Sequence, residues 1–106
     1  MYVNKTLALS YLAGSEIIFN KLKTNFLNSY INFKDDILTF YNLNNYQELY
    51  RYIHNIKGIS LNLSSKQLYE DSIIVLEEFK KDVYNLSNIE KLLNTLTNVY
   101  SELEKL

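Results

Sequence analysis

Proline is absent from this chain of 106 residues, and glycine occurs only at Gly14 and Gly58. An average chain of this length carries about five prolines and about seven glycines. Proline stops helices, and glycine is costly inside helices and strands alike. Tight hairpin turns depend on glycine, so the shortage argues against an all-β or doubly wound fold and in favour of helices. The length suits one domain, residues 1–106, that buries roughly 60–65% of its unfolded surface. Hydrophobic residues make up 47% of the chain, enough for a core and too many for a disordered segment.

Charge and cysteine usage exclude further classes. Eleven basic against twelve acidic side chains leave a net charge of −1, which offers nucleic acid or anionic lipid no broad attraction. With no cysteine and one histidine there is no disulfide framework and no thiolate or multi-histidine zinc site. No carboxylate cluster suited to Mg²⁺ and no GxxxxGK phosphate loop is evident, so no metal or cofactor is expected on the chain itself. The N-terminal MYVNKTLALSYLAGSE has too short an apolar run for a secretory signal, and acidic Glu16 follows it. Nothing approaches the eighteen or so apolar residues of a membrane span. The expectation is a cytoplasmic, monomeric, helical protein, and a start at Met1 with a full last helix suggests a stand-alone chain.

Serine and asparagine supply the punctuation. Gly14-Ser15 ends a first helix and caps a second beginning at Glu16. Asn45, Ser64 and Ser87 each stand three residues before Glu48, Gln67 and Glu90, the spacing of a capping box in which each end of the motif satisfies a free N–H of the other. These signals predict helices over 3–12, 16–30, 33–43 (a kinked continuation of the second), 46–63, 65–84 and 88–104. In the last, Ile89, Leu92, Leu93, Leu96, Val99, Tyr100 and Leu103 form one stripe with helical steps. Leu68, Ser72, Val75, Phe79 and Val83 make a thinner stripe before it, and Ile18, Leu22, Phe26 and Tyr30 one on the second helix. Short connections between long helices predict an all-α, antiparallel up-and-down four-helix bundle with a short extra N-terminal helix.

Helix 46–63 holds the only histidine. At roughly 100° per residue, Tyr46, Leu49, Ile53, Ile56, Ser60 and Leu63 share an arc of about 80°, the predicted buried face. His54 falls roughly 120° from its centre, with Tyr50, Lys57 and Leu61 between. The imidazole therefore faces water. Gly58, one turn on, costs about 1 kcal/mol relative to alanine in a helix interior, and its missing side chain clears one flank of the ring. Lys57, at i+3, brings an ammonium within reach of an anion carried there. An exposed imidazole, a cleared flank and a nearby cation together suit a nucleophile that accepts a phosphoryl group.

The segment His54-Asn55-Ile56-Lys57-Gly58-Ile59-Ser60-Leu61-Asn62-Leu63 resembles the signature H-x-[LI]-K-G-x-S-x-N-L-G of histidine-containing phosphotransfer (HPt) domains. It matches at His54, Ile56, Lys57, Gly58, Ser60, Asn62 and Leu63. Leu12-Ala13-Gly14-Ser15-Glu16, Phe26-Leu27 and Tyr46-Gln47-Glu48-Leu49 extend the likeness over nearly the whole chain. Ser64 departs from the family's usual glycine, and its reading as an N-cap keeps the turn. Leu76 stands where many members place the Glu or Gln that touches the histidine ring, so no polar orienting partner is assigned.

This resemblance implies a phosphorelay intermediate of two-component signalling. His54 would take a phosphoryl group from the aspartyl phosphate of one response-regulator receiver domain and pass it to another, with Lys57 offsetting charge on the phosphoryl oxygens. Attack through Nε2 requires that nitrogen to be unprotonated. Autonomous kinase activity is not expected, and Mg²⁺ would reside in the partner receiver. Receiver domains and a hybrid sensor histidine kinase are the expected partners, docking on Leu61 within a rim of Tyr50, Arg51 and Lys57. The alternative is a non-catalytic helical adaptor that binds the same partners through the same face.

Overall fold

Four of the five connections in this chain place a residue other than glycine in the left-handed region, joined in the first by Gly14. In the computed structural model, which describes residues 1–106, Ala13, Asn44, Ser64 and Asp82 take φ of 54°, 56°, 51° and 58°. Asn44, Ser64 and Asp82 each end a helix with paired backbone bonds, such as Asn45 N–H to the Phe40 carbonyl at 2.8 Å beside Asn44 N–H to that of Tyr41 at 3.1 Å. This left-handed cap satisfies carbonyls that a helix end leaves free, and glycine is its usual residue. Asparagine and aspartate tolerate the conformation better than most, whereas alanine and serine are held in it at a cost.

Six helices result, with no strand: α1 (Lys5–Tyr11), α2 (Glu16–Ser29), α3 (Phe33–Asn42), α4 (Tyr46–Asn62), α5 (Lys66–Lys80) and α6 (Leu86–Lys105). The fold is all-α, and no helix is long and apolar enough to cross a membrane. Ser15 and Asn45 cap α2 and α4 as the sequence predicts, accepting from the N–H groups of Ile18 and Glu48.

Four local expectations are corrected. Ser64 is no cap: its φ of 51° makes it the left-handed turn residue after α4, and Ser65 precedes α5 instead. Neither hydroxyl has a hydrogen-bond partner. Asn85, not Ser87, caps α6, which therefore starts two residues before the predicted position. Helix α5 stops at Lys80 because the chain turns left-handed at Asp82, so Val83 leaves the stripe and is 44% exposed. On α2 the core position belongs to Phe19, fully buried, and not to its neighbour Ile18.

The core contains 21 apolar residues, with Leu49, Ile53 and Ile56 of α4 facing Leu68, Val75 and Leu76 of α5 and the stripe of α6. Burying each such side chain contributes about 1.5–3 kcal/mol. Helix α4 packs chiefly on α5, with α3 on its other side; α5 packs in turn on α6, and α6 on α2. The N-terminal segment is tied to α6, since the N–H groups of Tyr2 and Val3 donate to the Glu102 carboxylate at 2.6 and 3.1 Å. Asp71 is buried between α5 and α6, accepting from Gln67 at 2.9 Å and from the Thr95 hydroxyl at 2.5 Å.

Candidate functional site

Because Leu49, Ile53, Ile56 and Ser60 are drawn into the core, the opposite side of α4 must face water. His54 lies there, exposed, in the middle of the helix. The side-chain hydrogen bonds formed by its surroundings on α4 and α5 run Arg51 to Glu48, Ser60 to Lys57 and Lys80 to Glu77, and leave both imidazole nitrogens without a protein partner. Tyr50, one turn before, presents its ring at 6.2 Å between centroids and 21° between planes.

Gly58 is exposed and inside α4, and a Cβ built there would meet nothing within 4 Å. Close packing inside the chain therefore does not explain this glycine. It costs the helix about 1 kcal/mol and leaves open space four residues on from the histidine. Lys57 is half-buried with its stem along α4, and no carboxylate pairs with it, in contrast to Arg51, which holds Glu48 at 2.8 Å. Leu61 is 56% exposed on the same side of α4, since seven residues return almost to the angle of His54. The predicted residues Tyr50, Arg51, His54, Lys57, Gly58 and Leu61 thus share the outer side of one helix.

The remaining matched positions have structural roles. Ser60 is buried and its hydroxyl donates to the Lys57 carbonyl at 2.5 Å, within the turn that carries Gly58. Leu63 is a core residue. Leu76, at the position expected of a polar orienting group, is 3% exposed and part of the core, so α5 offers the ring nothing polar from there. Glu77 beside it is engaged by Lys80 at 3.2 Å.

Sequence reasoning missed Lys80. It lines one groove with Tyr50 and Arg51 at the α4–α5 seam, and its hydrogen bond to Glu77 holds the ammonium above its ordinary pKa. No local signal singled it out, because the pairing of α4 with α5 is a long-range fact. No group of three or more His, Cys, Asp or Glu residues is arranged to hold a metal ion.

Protein-family models, curated proteins and solved structures were each compared with the chain, and none matches.

Proposed function

We propose that α2 with α3, α4, α5 and α6 form the four arms of an antiparallel up-and-down bundle, with α1 added at one end, and that the protein is a phosphohistidine carrier between receiver domains. The observation that carries this reading is the empty space at Gly58 beside an exposed, unpartnered imidazole. A glycine that no internal contact requires is accounted for by a partner that must come close.

In the transfer, the Nε2 lone pair of His54 forms the N–P bond while the P–O bond of the aspartyl phosphate breaks. The carboxylate leaves with that electron pair, and the proton on Nδ1 stays or passes to water. Charge spreads over the phosphoryl oxygens in the transition state. Lys57, with no carboxylate of its own, is the cation best placed to offset it. The reverse sequence at a second receiver regenerates free His54. Leu61 supplies the apolar contact of a transient interface, with Tyr50 and Arg51 on its rim. The partner contributes Mg²⁺ and the remaining catalytic groups, and a cytoplasmic setting follows from that partner.

The test is incubation with a phosphorylated receiver domain. An acid-labile, base-stable label on the protein, absent in His54→Gln, supports the carrier; no label from any receiver of the source organism overturns it. Burial of Leu76, which removes the usual polar support, favours one second reading, an adaptor that binds the same partners without chemistry. For the adaptor, His54→Ala leaves partner affinity and cellular phenotype intact while Leu61→Asp abolishes both.

A further inference from the structure

Granting that His54 carries the phosphoryl group, something must hold the ring, since a solvated side chain on a helix samples several rotamers. Hydrogen bonding does not do so: Arg51, Ser60 and Lys80 bond elsewhere, and both imidazole nitrogens lack protein partners. On the C-terminal side, Gly58 leaves open space. A neighbour anchored to the core is Tyr50. Its ring is half-buried and packed against the core, and it lines the α4–α5 groove with Phe79 and Lys80. It therefore has little freedom of its own. It lies 21° from parallel to the imidazole, with 6.2 Å between centroids, at the i−4 position where helical side chains meet.

We infer that Tyr50 is a positioning residue, which restricts the His54 imidazole by ring contact in place of a hydrogen bond and leaves both nitrogens free for the partner. The contact works through the aromatic face and not the hydroxyl, which forms no bond to His54. With about three staggered wells open to an unrestrained side chain, loss of this restraint lowers the productive population, and with it the transfer rate, on the order of threefold.

Nuclear magnetic resonance on the full chain tests the restraint without any partner. In the wild type the His54 ring protons should show a ring-current displacement from Tyr50 and a χ1 coupling typical of one rotamer. Tyr50→Phe should keep both signatures. Tyr50→Leu, which retains apolar cover for the core, should lose the displacement, average the coupling and slow transfer about threefold. A wild-type His54 already averaged over rotamers, or a Tyr50→Leu protein with unchanged coupling and rate, overturns the inference. Failure of the carrier reading looks different: no label forms in any variant, while the ring signatures of wild type and Tyr50→Phe persist.

Discussion

Asp71 on α5 and His54 on α4 are titratable side chains on packed helices, and the protein treats them in opposite ways. Asp71 is 3% exposed and both its oxygens accept hydrogen bonds, one from Gln67 and one from Thr95 of α6. His54 is exposed, bonded to nothing, and beside a glycine that weakens its own helix. A buried polar group without partners costs about 1–3 kcal/mol, so Asp71 persists inside only as part of a closed network. An exposed imidazole carries no such constraint. At Asp71 polarity is enclosed and satisfied and serves the fold; at His54 it is left open, and the fold gains nothing from it.

Substitutions can break that contrast from either side. His54→Gln should remove all phosphoryl label, the largest effect, yet leave urea unfolding within about 0.5 kcal/mol of wild type. Thr95→Val should do the reverse. It deprives one buried Asp71 oxygen of its donor and should lower unfolding free energy by about 1–3 kcal/mol, with labelling per folded molecule unchanged. A Thr95→Val protein as stable as wild type would show that the network is not what secures the α5–α6 seam.

Gly58→Ala sharpens the comparison, because the two readouts should move in opposite directions. The new methyl group meets nothing in the chain, so stability should rise by about 0.5–1 kcal/mol while transfer from a receiver slows. Unimpaired transfer would remove the main support for a partner-facing gap. Ser64→Gly should stabilise by about 1 kcal/mol through relief of its left-handed backbone, without touching transfer; a thermal melt suffices to check it.

The smallest effect is at alkaline pH. Burial, followed by the 3.1 Å hydrogen bond to Asp36, raises the Tyr52 phenol well above its ordinary pKa of 10.0. Above about pH 10 the unfolded chain therefore releases this proton while the folded chain keeps it, so stability falls as pH rises. Tyr52→Phe should flatten that decline, measured by denaturant unfolding between neutral and alkaline pH.

Much of this architecture was legible before any coordinates. The α6 stripe from Ile89 to Leu103 carried its period plainly, and the buried arc of α4 placed His54 on the wet side, where it lies. The turns were harder. Schellman-type caps announce themselves by glycine, and here Asn44, Ser64 and Asp82 fill that role, so Ser64 read as a cap and α5 ran past its true end to Val83. Long-range partners left no local trace either. Asp71 meets Thr95 across 24 residues, Tyr2 meets Glu102 across 100, and Lys80 joins Tyr50 only once α4 and α5 pack. For the site, the helix face could be deduced from angles alone, whereas the missing polar support at Leu76 became a definite absence only when that side chain was found in the core.

Four connections in this chain turn left-handed at Ala13, Asn44, Ser64 and Asp82, and of its two glycines only Gly14, with a φ of 76°, sits at a bend. Gly58 is thus dispensable to every fold-level demand. In a randomised library sorted solely for compact, protease-resistant molecules, position 58 should drift to alanine within the first rounds; in one sorted for signalling, the same codon should resist replacement.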